Sequence, residues 1–410
     1  MPLAPRSASR PTRALLAVLA FVLGIATVPH RVCERDAAAY YEGEPQHVDA
    51  LARAASAWTT QELAAGAFAT GSRRFDGEWL FGTYMMAAMG FGQVALATGD
   101  PARRALSASR MEQCLDAMLA PPSRVFDRDA WRLDGLASLE VPPGSAQDRG
   151  HVAYLGYAGL ALGLHRLVVP VSRFDATHDA LAAALGRRFS ASPSGLLETY
   201  PGEVYPVDNA AALAALALHA RATHADPSPG LKRGLETLRA RSVQPATGLL
   251  AQAASPLDAS ARDPGRGSGT ALAAYFLAYA DHALSAALYH AVRRELYRTV
   301  LGFGAVLEHP PSCVECTGRA DVDSGPTFLG FGLSATGFAI GASRANGDRD
   351  AFTSLYSTAH LFGAPFDEQG SRTFATGGPL GDAILFAMTT APHRALLAKL
   401  GTTGAIARSS

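Results

Sequence analysis

The chain repeats one pattern six times, in which a short polar cluster precedes a long apolar stretch. Landmark residues in successive clusters are separated by 73, 57, 58, 57 and 59 residues, so the last four intervals agree within two residues. A unit of about 58 residues accommodates two helices and their connections. The landmarks are Glu78, His151, Asp208, Arg266, Asp323 and Asp382.

Each unit pairs two kinds of predicted helix. The first is apolar nearly all round, which indicates burial, and the second carries more charge. Six such hairpins closing in a ring predict an all-α (α/α)6 toroid, with every apolar helix starting at the same mouth. The predicted outer helices are Asp100–Met118, Arg173–Phe189, Pro229–Arg241, Ser285–Leu301 and Asp348–Leu361, and a further helix is predicted at Gln46–Ala65.

Composition restricts the partners. Lys and Arg together number 36, as do Asp and Glu, so the formal net charge is zero. A basic surplus that would favour nucleic acid is absent. We therefore expect a small-molecule substrate and no nucleic-acid partner.

The N-terminus has the features of a targeting segment. Arg6, Arg10 and Arg13 precede a 15-residue apolar run at Ala14–Val28, which is short for a membrane span and typical of a signal peptide. We predict a signal peptide, or an uncleaved signal anchor, at 1–30, one barrel domain at 31–395 and a flexible tail at 396–410. An exported protein follows, periplasmic or extracellular, with membrane contact only through an uncleaved N-terminus.

Four cysteines bear on the redox state. Export favours disulfides, and Cys313 and Cys316 form a CxxC pair in a loop. A local disulfide is the first interpretation, a redox pair the second and a metal site the third. The function expected below requires no metal.

Three carboxylates crowd the loop before the third apolar helix: Glu198, Glu203 and Asp208. Neighbouring carboxylates that share a site raise at least one pKa, so one group can act as acid and another as base. His151, at the start of the second apolar helix, is the candidate proton shuttle. The competing interpretations are a solvated acidic loop, a polar helix-start histidine, and Asp208 or Asn209 as an N-cap.

Other mouth residues are candidates for substrate binding. Arg266 could clamp a carboxylate or pair with the rim acids, and Asp323 could bind a ligand or cap its helix. Aromatic side chains would either line a cavity or belong to the core; they are Trp79, Tyr84, Tyr154, Tyr157, Tyr200, Tyr205, Tyr275 and Phe328. Phosphate-binding, zinc-protease and serine-hydrolase motifs are absent from the sequence, so it does not indicate serine or cysteine nucleophile chemistry.

The order of several segments resembles the linalool dehydratase-isomerase family. The likeness extends from about residue 75 to 390 and is carried by Gly150-His151-Val152, Ser172–Asp175, the Glu198–Asn209 loop, Asp321–Gly325 with the helix up to Gly347-Asp348, and Gly378–Phe386.

The resemblance implies an exported homo-oligomeric (α/α)6 barrel that dehydrates and isomerises a terpene alcohol without a cofactor. It matches His151 to the family's catalytic histidine, and Glu198, or less closely Glu203, to its glutamate. Two family cysteines have no counterpart, because Glu198 or a neighbour and Asp208 stand in their places. For the family's Asp/Tyr pair, Asp76 and Tyr84 are loose candidates.

The sequence therefore predicts a hydro-lyase or isomerase acting on a small hydroxylated, terpenoid-like substrate. His151, Glu198, Glu203 and Asp208 are the predicted catalytic residues, and Trp79, Tyr84, Tyr205, Arg266 and Asp323 the predicted substrate-binding residues. Two alternatives remain: a carbohydrate-active toroid (lyase, epimerase or hydrolase) and a ligand-binding envelope protein without catalysis.

Overall fold

The computed structural model describes residues 10–61, 63–316, 321–322 and 324–406. This part of the chain is mostly helical, with three short antiparallel hairpins. The helices are α1 (Arg10–Cys33), α2 (Ala37–Glu42), α3 (Pro45–Thr59), α4 (Arg73–Ala97), α5 (Pro101–Leu119), α6 (Val125–Trp131), α7 (Val152–Val168), α8 (Asp175–Ala191), α9 (Pro206–Ala222), α10 (Pro229–Thr237), α11 (Gly267–Leu277), α12 (His282–Ala291), α13 (Leu333–Asn346), α14 (Arg349–Gly363), α15 (Gly378–Thr389) and α16 (Arg394–Ile406). The strands are β1 (Tyr297–Val300), β2 (Phe303–Val306), β3 (Thr327–Phe328), β4 (Phe331–Gly332), β5 (Pro365–Glu368) and β6 (Ser371–Phe374).

Six helices form a closed inner ring. In order, α4, α7, α9, α11, α13 and α15 each pack on the next, and α15 returns to α4. The outer helices α5, α8, α10, α12 and α14 each pack on the inner helix that precedes them in the chain, and α3 covers α15. The predicted (α/α)6 toroid is therefore confirmed.

The inner helices run parallel and begin at one end of the barrel. Near their starts, the rings of Phe81 in α4 and Tyr154 in α7 lie 5.2 Å apart. Near their ends, Gly92 lies so close to Leu164 that a Cβ at Gly92 would be 2.7 Å from the leucine side chain. The same parallel arrangement relates α4 to α15, where Gly82 faces Leu380 and Gly90 faces Phe386.

Burial follows from this arrangement. Of the described helices, α4 is the one that is long and apolar enough to cross a membrane by length and composition, and 83% of its apolar window is buried inside the barrel. Its neighbours on the ring supply the apolar surroundings that a bilayer would otherwise provide. The prediction that apolar helices form the core is borne out for α4.

Two helix predictions fail at hairpins. The fifth inner helix begins at Leu333, because Thr327–Gly332 folds back through Leu329 and Gly330, both at positive φ. The predicted outer helix Ser285–Leu301 gives way after Ala291 to a π-helical turn and then to β1. Leu301 and Gly302 also have positive φ, which is the geometry that closes a two-residue hairpin.

Other boundaries differ more modestly. The loop at 119–146 contains α6 and short 3-10 turns, and the helix predicted at Gln46–Ala65 ends at Thr59. The boundary predicted at residue 395 falls inside α16 (Arg394–Ile406), whose Leu397 is buried, and the flexible tail stays a prediction. The predicted signal segment overlaps α1, and its cleavage stays a prediction.

Close approach of the inner helices generates a prediction about stability. A Cβ at Gly90 would lie 2.4 Å from the buried ring of Phe386, whereas a Cβ at Gly337 would meet nothing within 4 Å. We expect Gly90→Ala to destabilise the fold by about 1–3 kcal/mol through overpacking. Gly337→Ala, the matched control inside a helix, should be neutral or stabilising by up to about 1 kcal/mol. Urea unfolding measures both, and equal effects would contradict parallel ring packing.

Candidate active site

The barrel is partly open to solvent at the end where the inner helices begin, and we call this region the funnel. Each inner helix keeps partly exposed residues in its first turns, followed by about two turns of continuous burial in most cases. The funnel therefore narrows to a closed floor inside the ring. The last partly exposed residues before the buried stretches are Gly82, Tyr157, Asp208, Gly269, Gly337 and Leu385.

Two half-buried carboxylates lie at this funnel, each held by a tyrosine hydroxyl. Tyr200 donates a short hydrogen bond to Glu78 of α4. Tyr157 of α7 donates to Asp208 of α9 at 2.7 Å, and Thr199 donates to the other oxygen of Asp208 at 2.9 Å. Hydrogen bonds donated to a carboxylate favour its ionised form.

Tyr200 is fixed as a proton donor. Burial raises the pKa of its phenol well above the ordinary value, and the negative charges of Glu78, Asp208 and Asp127 raise this pKa further. Tyr200 therefore lies within electrostatic range of carboxylates on three separate elements. The guanidinium of Arg74 lies 4.6 Å from the centre of the Tyr200 ring and offsets part of this negative charge.

The predicted N-cap role of Asp208 is wrong. Helix α9 begins at Pro206 after Tyr205, and Asp208 lies within its first turn, where a carboxylate is favoured by the helix dipole. Asn209 binds the loop instead, accepting from the Leu197 amide at 2.8 Å and donating to the Leu197 carbonyl at 3.0 Å. Asp208 is therefore not the N-cap residue of α9.

His151 belongs to a buried dyad. Its Nδ1 lies 2.8 Å from Oδ2 of Asp127, and both residues are 1% exposed or less. The histidine has positive φ and stacks on Trp131 at 4.6 Å. Burial raises the pKa of Asp127, while the bond to His151 lowers it. The dyad is enclosed beside the funnel, so the proposed role of His151 as a shuttle in direct contact with substrate stays a prediction.

The glycine that precedes His151 is required by the packing of two loops. A Cβ at Gly150 would lie 2.0 Å from the carbonyl oxygen of Glu198, so only glycine permits this approach of the two loops. The amide of Val152 donates to the same carbonyl at 3.4 Å. His151 and the acidic loop are thus adjacent through their backbones, as the repeat predicts.

Glu198 and Glu203 are both held within the rim. Arg149 donates to one oxygen of Glu198 at 2.5 and 3.0 Å, and the Gly202 amide donates to the other at 2.9 Å. Tyr205 donates to Glu203 at 3.1 Å. These contacts indicate that Glu198 and Glu203 stabilise the loop. The predicted catalytic role of the two glutamates stays a prediction.

The predicted aromatic walls divide into two groups. Trp79, Tyr157 and Tyr205 are partly exposed at the funnel end, whereas Tyr84, Tyr154 and Tyr275 are buried core residues. Phe328 instead projects from the rim and is 65% exposed. The funnel therefore has fewer aromatic side chains than the sequence suggested.

Arg266 pairs with acids, as its competing interpretation held. It donates to Asp321 at 2.5 Å and to Gln252 at 2.6 Å, and it lies 3.5 Å from Glu308. Burial raises the pKa of Glu308 to about 7, although a bond from Ser268 and the charge of Arg266 oppose the shift. Asp323 lies outside the described residues.

Cys313 and Cys316 form a disulfide, which confirms the first of three interpretations. Cys33 and Cys114 are buried free thiols, and burial raises the pKa of Cys114 to about 12. Neither thiol is therefore a ready nucleophile.

Asp382 of α15 connects three elements by hydrogen bonds. It accepts from Trp58 of α3 at 2.8 Å and from the Phe374 amide at 2.9 Å, and burial raises its pKa to about 6. This landmark joins an outer helix, a hairpin and an inner helix, which gives it a structural role.

Two surface clefts lie outside the ring of inner helices, and Phe366 lines the first of them. One, of about 410 Å³, lies between Arg53 and the β5–β6 hairpin, and the other, of about 440 Å³, lies between His30 and the start of α14. Neither is lined by the carboxylates described above.

The sequence predicted where the polar site lies, but not which side chains bind its carboxylates. Glu78 entered only as a landmark, and Tyr157 and Tyr200 only as apolar walls. The available signal was positional, because Glu78 and Asp208 occupy corresponding places in their repeats. Thr199, between two predicted site residues, gave no distinguishing signal.

The chain has similar solved structures, each at low sequence identity. No protein family and no curated protein matches the sequence. Similar solved structures include a family 76 α-mannanase of Bacteroides thetaiotaomicron, with 11% identity, TM-score 0.45, and coverage of 78% of this chain and 86% of that one. An α-1,6-mannanase of Salegentibacter sp. shows 13% identity, TM-score 0.47, and coverage of 78% and 89%. A D-mannose isomerase shows 11% identity, TM-score 0.44, and coverage of 81% and 87%.

These likenesses concern the fold alone. The resemblance to linalool dehydratase-isomerase receives no support from the comparisons, and no statement about terpenoid chemistry follows from them.

The raised pKa of Glu308 predicts a pH-dependent stability. An unfolded glutamate ionises near 4.5, whereas the folded group ionises near 7, so the folded state holds the extra proton between these values. Wild-type stability should therefore fall, through this group, as the pH rises from about 4.5 to about 7. Glu308→Gln cannot ionise, so the melting temperature of the variant minus that of wild type should rise across the window. The exposed Glu140→Gln is the control, and a constant difference for Glu308→Gln would refute the burial argument.

Proposed function

We propose that the chain is a carbohydrate-active enzyme of the lyase or isomerase type, with its site in the funnel. The observation that carries the proposal is the placement of two hydroxyl-bonded carboxylates, Glu78 and Asp208, at the narrowing of one solvent-reached mouth. Partly exposed Trp79 and Tyr205 provide apolar faces at the same end. Sugars present both hydroxyl groups and apolar ring faces, so this lining suits them.

The hydrogen bonds indicate the kind of reaction. Glycoside hydrolysis by paired carboxyl groups needs one of them protonated. Here hydroxyl groups donate to both Glu78 and Asp208, which favours two ionised carboxylates. Two bases with phenolic donors beside them suit proton abstraction from substrate, the first step of a lyase or isomerase.

The steps follow from these roles. Glu78 or Asp208 takes a proton from a carbon next to a carbonyl or carboxyl group of the sugar. Tyr157, half-buried between the two carboxylate-bearing helices, supplies a proton to the departing or receiving oxygen. Return of the proton to carbon gives isomerisation, and loss of an oxygen substituent gives elimination.

A first experiment tests the carboxylates. Purified protein is incubated with free aldoses, uronic-acid polysaccharides, neutral oligosaccharides and allylic alcohols, and products are detected by mass spectrometry. We expect turnover of a carbohydrate, and a loss of about 10²-fold or more in kcat for Glu78→Gln and for Asp208→Asn. The exposed Glu140→Gln is the matched control and should retain full activity.

The opposing outcomes are distinct. If turnover survives both Glu78→Gln and Asp208→Asn, the assignment of the active site to these carboxylates is refuted. Turnover of allylic alcohols alone would favour the terpenoid hypothesis. Ligand binding without turnover by wild type would favour a binding protein.

A second experiment tests the phenol beside Asp208. Tyr157→Phe removes a hydrogen bond to the carboxylate, so the pKa of Asp208 should rise. If Asp208 is the base, the acid limb of the kcat/KM profile should move to higher pH. Tyr289→Phe removes a similar hydroxyl-to-carboxylate bond on the outer layer and should leave the profile unchanged. An unshifted limb for Tyr157→Phe would exclude Asp208 as the base.

A further inference from the structure

An uncharged apolar surface lies on one sector of the mouth. We call it the apolar rim and define it as Phe328, Leu329, Leu333, Leu361, Phe362 and Phe366. These side chains are 44–80% exposed, and the rings of Phe328 and Phe362 lie 6.4 Å apart, so the two contributing segments meet. Contiguous exposed apolar surface of this kind marks a binding region rather than chance exposure.

The two segments contain no charged residue. Pro326–Leu333 reads PTFLGFGL and Leu361–Phe366 reads LFGAPF, in a chain where 18% of residues are charged. Elsewhere, Leu106 of α5, Val171 and Leu257 are exposed singly, Val300 and Leu301 form a pair at the β1–β2 turn, and α1 exposes several apolar side chains. Among the described residues outside α1, the apolar rim is therefore the largest group of exposed large apolar side chains.

The apolar rim is continuous with the funnel. Leu333 is the first residue of α13, whose Ser334 and Gly337 are partly exposed at the mouth. Phe362 bonds through its carbonyl to Thr376, just before α15 begins. The surface therefore joins the starts of two neighbouring inner helices.

The two regions differ sharply in polarity. The funnel holds Glu78 and Asp208, whereas the six side chains of the apolar rim carry no polar atom; at its edge, Phe366 also lines a cleft with Arg53 and Glu368. A ligand that covers both must carry a polar head and an apolar tail. We propose that the funnel's carbohydrate substrate is amphiphilic, a glycolipid whose alkyl chain lies along the apolar rim; this inference rests on the proposed function.

The experiment measures binding of n-alkyl glucosides, below their critical micelle concentrations, by calorimetry. We expect the dissociation constant to fall from methyl to butyl to octyl glucoside, by up to roughly fourfold for each methylene buried. The double variant Phe328→Ser/Phe362→Ser should lose this dependence on chain length. Leu106→Ser, an exposed leucine 61% accessible on an outer helix, should keep it. Because the substituted side chains are exposed, unchanged melting temperatures will confirm that the variants fold.

The outcomes separate the two proposals. Methyl glucoside or another sugar bound and turned over with no gain from an alkyl chain would overturn the amphiphile inference and leave the proposed function standing. Chain-dependent binding that is equal for octyl glucoside and octanol, and insensitive to Glu78→Gln, would support the apolar rim and refute sugar recognition in the funnel. Binding to phosphatidylcholine vesicles that Phe328→Ser/Phe362→Ser abolishes, without chain-dependent binding of monomeric glucosides, would overturn the inference in favour of a membrane surface.

Discussion

The close, parallel packing of six inner helices is the constraint on which the structure depends. Glycine at positions such as Gly90 and Gly92 removes the Cβ that would collide with Phe386 and Leu164. Because the helices then lie side by side in the same direction, their first turns meet at one end. Polar residues that are remote in sequence are gathered there, and the interior below them is filled with apolar side chains.

The mouth is organised by hydrogen bonds between loops and helix starts. Tyr200 and Thr199, from the loop before α9, reach Glu78 on α4 and Asp208 on α9. Gly150 allows the neighbouring loop to lie against Glu198, and Arg149 neutralises the Glu198 carboxylate. The acids of this loop have different partners: Glu198 is held by an ion pair with Arg149, while Asp208 accepts hydrogen bonds from the hydroxyl groups of Tyr157 and Thr199.

These different partners explain why the proposed reaction uses other residues than the His151 and Glu198 that the resemblance implied. Both oxygens of Glu198 are engaged, one by Arg149 and the other by the Gly202 amide, so this carboxylate holds the loop. A carboxylate bound by phenol and hydroxyl groups stays ionised and has proton donors at hand. His151 follows a glycine as the resemblance required, yet it is enclosed with Asp127 and Trp131. The arrangement favours Glu78 and Asp208 over His151 and Glu198.

The sequence by itself determined the ring. Spacing of about 58 residues and helices apolar on all sides leave few other ways to bury this much surface, so the toroid, its single mouth and the place of Asp208 could be predicted. The hairpins at 297–306 and 327–332 could not, because their turns depend on Leu301 and Leu329 at positive φ, a conformation with no clear local signal. The hydrogen-bond partners of each acid could not be predicted either, because they depend on which loops meet across the mouth. Tertiary structure alone joined Tyr200 to Glu78 over 122 positions and enclosed His151 with Asp127, since such contacts form only when separate elements pack against one another.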